Sequence, residues 1–305
     1  MFASTQSKNN LKESIRFWLI DHPELNPYQF SFKKFFRKLT SSFRSFPHFI
    51  IIGVGRAGTT ALYSYLIQHS SIYGTYTENK KNASDIHFFE YMTTTSVSWY
   101  KSHFPILSSK MLSKNNLQVT GEFTSTYFYH PDVPKRIHEL LPNIKLILIL
   151  RNPIDKIYST YYQQFRYGEI STSFEETIDA EIKRIEILQN NPDFHSKNPN
   201  IKNSVPQNIL RHGIYCDYLE NWFKFFPKEQ FLILNVDDLN SKPKENFEKI
   251  FKFLDLSLDN TKFIRYNSQK NPAIDPEIRK KLVEYFKPHN EKLYQLLGRR
   301  FDWYK

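Results

Sequence analysis

The stretch FIIIGVGRAGTTALYSYL, from Phe49 to Leu66, constrains this chain more than any other. An apolar, β-branched run from Phe49 to Ile52 empties into Gly53, Gly55 and Gly58, and a helical pattern starts at Thr59. A buried strand that ends in glycines at a helix N-terminus is a holder for phosphate. The first-turn N–H groups and the helix dipole both favour an anion there. The glycines let the backbone come close to it. The chain is therefore expected to bind a nucleotide or another phosphate-bearing ligand around Arg56, Ala57, Gly58, Thr59 and Thr60.

Three readings share these residues. Gly53-x-Gly55-x-x-Gly58 fits the dinucleotide fingerprint, with Glu78 at the distance of a ribose contact. The same loop fits a P-loop in which Thr59 replaces the lysine, which removes the main contact to the β and γ phosphates and argues against ATP or GTP hydrolysis. In the third reading the loop keeps that geometry but carries its cation at Arg56. This arrangement resembles the 5′-phosphosulfate loop of sulfotransferases, which use 3′-phosphoadenosine 5′-phosphosulfate (PAPS). The loop by itself leaves all three open.

A second segment separates them. KLILILRNPIDKIYSTYYQQF opens with the apolar run Leu146 to Leu150, followed by Arg151, Asn152 and Pro153. Pro153 suits the first turn of a helix, and Ser159 then falls about two turns into it, with Tyr161 just beyond. An arginine at a strand's end and a hydroxyl on the following helix can converge on one phosphate, the arginine through a bidentate fork. Arg151…Pro153…Ser159…Tyr161 resembles the 3′-phosphate motif of sulfotransferases, in which that arginine and serine hold the phosphate that distinguishes PAPS from ATP.

Strands and helices alternate along the chain, which predicts an α/β fold: a P-loop-like parallel sheet flanked by helices, as the resemblance to sulfotransferases also implies. Strands are expected near 49–53, 71–76, 117–121, 145–150 and 230–235, and helices over 59–69, 131–140, 154–166, 173–190, 206–226, 243–254 and 276–297. Residues 47–305 are expected to form the sulfotransferase domain and residues 1–46 a basic, aromatic extension. Within that extension, Phe30 to Phe46 interleaves Lys33, Lys34, Arg37, Lys38 and Arg44 with Phe32, Phe35, Phe36, Leu39 and Phe43. A helix packing its phenylalanine face on the domain is expected, with a peripheral helix on an anionic membrane as the alternative.

Charge narrows the partners. With 42 Lys+Arg against 31 Asp+Glu, the net charge is +11, which favours anionic ligands. The cations form no long run, so nucleic acid is not an expected partner. Cys216 is the single cysteine, which excludes an intrachain disulfide and a cysteine-based metal site and suits a reducing, cytoplasmic setting. The histidines show no H-x-x-H or H-E-x-x-H spacing, so no metal is expected.

The catalytic candidates lie in Asp85-Ile86-His87-Phe88-Phe89-Glu90. Strand-like alternation would place Asp85 and His87 on one face, a carboxylate and an imidazole converging on one acceptor. The segment resembles the E-x-H-F-F-D block of heparan sulfate 3-O-sulfotransferases, and the resemblance puts Asp85 at the proposed base, His87 at the histidine and Glu90 at the final aspartate. Gly121-Glu122-Phe123-Thr124-Ser125-Thr126-Tyr127 resembles the stretch that faces the acceptor in that family, with Phe123 where the family has lysine. Asn267 to Asn271 takes the place of the family's phosphate-binding Lys-Gly-Arg loop, with Lys270 its only cation. The chain's end, from Glu284 through Gly298 to Trp303, resembles the end of the same enzymes.

The resulting expectation is sulfuryl transfer from PAPS to a hydroxyl or amine of a small-molecule or glycan acceptor, leaving adenosine 3′,5′-bisphosphate. Arg56, with the amides of Ala57 to Thr60, would hold the phosphosulfate, and Arg151 with Ser159 the 3′-phosphate. Asp85 would take the acceptor proton beside His87, with Glu122 the next candidate. The alternatives are an NAD(P)-dependent oxidoreductase and a catalytically silent nucleotide- or glycan-binding protein.

Overall fold

The computed structural model describes residues 32–76, 85–107, 118–190, 209–258 and 271–304. Its centre is a five-stranded sheet in the order β2-β3-β1-β4-β5. The strands are β1 (Phe49–Gly53), β2 (Ile72–Tyr73), β3 (Val119–Phe123), β4 (Lys145–Leu150) and β5 (Phe231–Asn235), and every neighbouring pair is parallel. β1 and β4 are the most continuously apolar runs, and they occupy the interior of the sheet with both faces covered by helices. The chain runs outward from β1 in both directions, so the carboxyl ends of β1, β3 and β4 lie side by side at a topological switch point. That is where an open α/β sheet binds its ligands.

Helices follow the strands much as the periodicity predicts. Thr59–Leu66 follows β1, Pro153–Arg166 follows β4, and Pro243–Phe253 lies beyond β5. Pro276–Leu297 starts at an Asp275 cap whose side chain accepts the N–H groups of Glu277 and Ile278, and it stops at Gly298 with φ 65°. Several elements differ from expectation: β2 covers only Ile72–Tyr73 of the expected 71–76, and the helix expected over 59–69 ends at Leu66. β3 runs two residues further than predicted, because Gly121 reads as a strand end yet sits mid-strand. The Phe49 ring of β1 fills the space a side chain there would need. The helix expected over 206–226 covers only Tyr215–Trp222, preceded by a short 3-10 turn at Arg211–Gly213.

The N-terminal segment meets the domain through a short helix and the turn after it. Phe32–Leu39 is a helix, but Leu39 and Phe43 are 62% and 70% exposed, and Phe36 also faces outward. Among the described side chains, two arginines contact the domain. Arg44 donates to the Phe104 carbonyl at 2.6 Å, and both Arg37 and Arg44 lie over the Tyr76 ring. A planar guanidinium can be buried when carbonyls take its N–H groups and an aromatic face takes its charge.

Candidate active site

The nucleotide side is assembled from the ends of β1 and β4. After Gly53 the loop turns back on itself, with Ala57 N–H donating to the Val54 carbonyl at 3.1 Å. Ala57 therefore spends its amide inside the loop and leaves the set of anion-facing groups. Gly58, at φ 89°, caps the following helix, and the first-turn amides of Thr59 and Thr60 have no intrahelical partner. Arg56 also takes a left-handed backbone, φ 68°, an uncommon choice for a residue with a side chain. From there its Nε donates to Ser159 Oγ at 3.1 Å. Arg151 Nη1 donates to the Arg56 carbonyl at 2.9 Å.

Arg56, Arg151 and Ser159 thus form one connected cluster. Partial enclosure first, and then the guanidinium groups of Arg151 and Arg166, press the Arg56 pKa below its ordinary value. Such crowding of cations is relieved when an anion binds among them. Arg166 had escaped the sequence reading. It ends the helix that carries Ser159, about two turns further on and on the same face.

Several bonds fix the Arg151 strand end. Asn152 caps the helix by accepting from Ile154 N–H at 3.0 Å and donates to the Trp303 carbonyl at 2.7 Å. Tyr215 Oη donates to the Arg151 carbonyl at 3.0 Å. Tyr161 turns away and donates to the Thr172 carbonyl, so its role is to pack the helix.

The acceptor side stands on the end of β3. Asp85 and His87 do converge, but not by strand alternation. Residues 85–87 form no strand, and His87 adopts φ 58° at the start of a turn. His87 Nδ1 lies 2.7 Å from Glu90 Oε2, and its Nε2 lies 3.8 Å from Asp85 Oδ2. The bond to Glu90 raises the His87 pKa above its ordinary value against the opposing effect of burial. Burial raises the Glu90 carboxyl, yet the bonds from His87 and Thr126 outweigh it and leave that pKa lowered.

Asp85 Oδ2 accepts from Ser125 Oγ at 2.9 Å, and burial holds its pKa above the usual aspartate value despite that bond. Ser125 joins the two sides: a Cβ added to Gly55 would lie 3.8 Å from its Oγ. One hydroxyl therefore separates the candidate base from the glycine loop.

Glu122 and Phe123 do not take the acceptor-facing places expected of them. Glu122 is 0% exposed, and Phe123 packs its ring 5.1 Å from that of Tyr63. The mid-strand position of Gly121 carries both inside the sheet. Lys270 and Glu78 lie outside the described residues.

The model of the sulfotransferase domain matches residues 46–293. The chain belongs to the sulfotransferase domain family. Human heparan sulfate glucosamine 3-O-sulfotransferase 5 is 29% identical over 282 residues, which span 84% of this chain and 74% of that protein. The membrane-associated sulfotransferase kil1 of Dictyostelium discoideum is 27% identical over 322 residues, spanning 84% of this chain and 66% of its own length. Among solved structures, a sulfotransferase from Alicyclobacillus acidocaldarius superposes with a TM-score of 0.62 at 21% identity, covering 86% of this chain and all of the other. That last likeness shows the fold. The match spans both the Gly53–Thr60 loop and the Arg151–Ser159 segment, and it sets aside the oxidoreductase alternative, which gave the second segment no purpose.

Proposed function

We propose that this sulfotransferase uses PAPS and acts on a hydroxyl or amine of a carbohydrate by in-line displacement. The observation that carries this is the cluster of Arg56, Arg151 and Ser159 beside the glycine loop, with Asp85 one hydroxyl away through Ser125. Two guanidinium groups and a hydroxyl suit a nucleotide that bears a second phosphate, and the loop's glycines leave room for it. When bound, PAPS supplies the sulfuryl group, and its 5′-phosphate oxygen is the leaving atom.

The chain's own residues do the rest. Arg56 and the amides of Thr59 and Thr60 stabilise negative charge at the phosphate end. Arg151 and Ser159 fix the 3′-phosphate and so set the nucleotide's position along the loop. Asp85 takes the acceptor proton; its raised pKa makes it a stronger base than an exposed aspartate. His87, held by Glu90, orients the acceptor. A carbohydrate acceptor is favoured by the similarity to a heparan sulfate 3-O-sulfotransferase. Mass spectrometry of glycan and small-molecule pools after incubation with PAPS tests this reading. A mass increase of one sulfate on a glycan supports it, and unchanged pools with every acceptor overturn it.

A peripheral membrane contact fits the N-terminal surface. Lys38, Leu39 and Phe43 point outward, Ile106 and Leu107 are exposed beside them, and Leu107 N–H donates to the Phe43 carbonyl. One relative carries membrane association in its name, and the relatives lend no support to a cytoplasmic setting. Co-sedimentation with phosphatidylserine vesicles, weakened by Phe43→Ser, is the expected result; equal pelleting with and without vesicles would remove the contact.

A further inference from the structure

Beneath the acceptor side lies a buried polar chain that the proposed reaction does not use. Tyr100, on the helix Val97–Lys101, donates its hydroxyl to Glu122 Oε1 at 2.5 Å. Thr124 donates to Glu122 Oε2 at 3.3 Å. The same Thr124 oxygen accepts the backbone N–H of Ile86 at 3.2 Å and of His87 at 3.3 Å. A threonine hydroxyl has one proton and two lone pairs. When its proton goes to Glu122, both lone pairs are left for the two amides, so the carboxyl favours one facing of Thr124; the Tyr127 hydroxyl is the other side-chain group in its reach.

The backbone held in this way is the part that does not hold itself. His87 sits at φ 58°, a left-handed conformation that is uncommon for a residue with a side chain and persists when its surroundings fix it. Glu122 itself is costly to keep. Burial pushes its carboxyl up to about 8 despite the bonds from Tyr100 and Thr124. The phenols of Tyr63, Tyr100 and Tyr127 and the charges of Asp85 and His87 are the ionisable groups that face it. An apolar residue of similar volume would fill the space without that cost. What the carboxyl adds is direction.

We propose that Glu122 is a positioning residue for the acceptor site: through the Thr124 hydroxyl it holds the Ile86–His87 backbone so that the Asp85 carboxylate and the His87 imidazole face one point. It touches no acceptor, being wholly buried. The proposal rests on the roles given above to Asp85 and His87, but its geometric part can be measured without any acceptor.

The test uses the full chain and its Thr124→Val, Thr124→Ser and Glu122→Gln variants, with His87→Asn and Asp85→Asn as references. The first readout is the His87 imidazole titration by NMR, identified by its loss in His87→Asn. In the parent it titrates above its ordinary value because Glu90 holds it. Thr124→Val removes the oxygen that fixes the turn, so the His87 titration moves down toward about 6.5. Thr124→Ser restores it. Stabilisation by adenosine 3′,5′-bisphosphate stays near the parent's even though the unpaired amides lower the melting temperature, which separates positioning from general damage.

The second readout is sulfate transfer from PAPS to a mixed glycan pool. Thr124→Val and Glu122→Gln each slow it by roughly 10- to 100-fold, and the double variant is no slower than the worse single one, because both act on one chain of bonds. A folded Thr124→Val protein whose His87 titrates as in the parent overturns the proposal. So does a Glu122→Gln enzyme that transfers at the parent rate. Should Glu122→Gln fail to fold, the Val and Ser pair at position 124 decides alone. If His87 shifts as expected while Asp85→Asn still transfers sulfate, the positioning stands and the assignment of the base falls.

Discussion

On the nucleotide side, Arg56, Arg151 and Ser159 hang from regular elements: a strand-to-helix loop, a strand end and a helix face. On the acceptor side, Asp85 and His87 stand on a turn held by Thr124 and Ser125 from the end of β3 and by Glu90 within the turn itself. The first kind of site is positioned by backbone geometry, and element spacing alone brings its groups together. The second kind is positioned by tertiary hydrogen bonds, several of them buried, and each bond is a separate point of failure. Substitutions should therefore separate the two sides: changes in the first alter nucleotide affinity, whereas changes in the second alter turnover at constant affinity.

The sharpest separation is expected at Asp85. Asp85→Asn keeps the shape and the bond to Ser125 but cannot take a proton, so turnover falls by roughly 10²- to 10⁴-fold while affinity for adenosine 3′,5′-bisphosphate holds. The acid limb of the parent's rate profile should lie above the ordinary aspartate range, because burial raises the Asp85 pKa and activity is lost as pH falls through it. Single-turnover rates with matched nucleotide titrations check both points. Loss of nucleotide affinity in Asp85→Asn would merge the two sides into one.

Arg56 comes next. Arg56→Ala should slow transfer by about 10²- to 10³-fold, since it removes a cation facing charge that grows in the transition state. It should also weaken nucleotide binding, because the same guanidinium meets Ser159. Arg56→Lys, measured in the same assays, should keep substantial activity. Near-parent turnover in Arg56→Ala would mean the loop works through its amides alone.

The smallest expected effect lies at Glu122 and is read in stability. Its carboxyl titrates at about 8 in the folded chain, against about 4.3 when unfolded. An acid whose folded pKa is raised favours folding fully below its unfolded value, and that contribution is lost as pH rises through the folded one. Between pH 5 and pH 8.5 the parent's melting temperature should therefore fall relative to that of Glu122→Gln. A constant gap across this window would show that the buried acid does not titrate there.

The same contrast explains what the sequence revealed. The sheet and most helices follow from local pattern, because apolar period, glycine and proline positions dictate element ends; that pattern sets Arg56, Arg151 and Ser159 near those ends, while their phosphate roles come from family resemblance and the Arg56–Ser159 contact from the structure. The helix Pro276–Leu297 could be placed to the residue from its Asp275 cap and Gly298 stop. The acceptor side was legible only through family resemblance, and its geometry was misread as strand alternation. Nothing local announces that Thr124 reaches across to residues 86 and 87, or that Tyr100 meets Glu122. Glu122 and Phe123 are expected to face the acceptor from their resemblance to the family's block, with the strand ending at Gly121, and the Phe49 ring on the neighbouring strand shows Gly121 to be mid-strand. In the same way, composition could not show that the N-terminal segment turns Arg44 inward and leaves Leu39 and Phe43 exposed.

The central claim is that Arg151 and Ser159, joined by Arg56, recognise a 3′-phosphate. Thermal denaturation of the parent and of Ser159→Ala with adenosine 3′,5′-bisphosphate, ADP and AMP tests it most directly, because stabilisation grows as RT ln(1 + [L]/Kd). The account predicts a large rise for the parent with the bisphosphate, small rises with ADP and AMP, and loss of most of that preference in Ser159→Ala. Equal rises for all three nucleotides in the parent would contradict it.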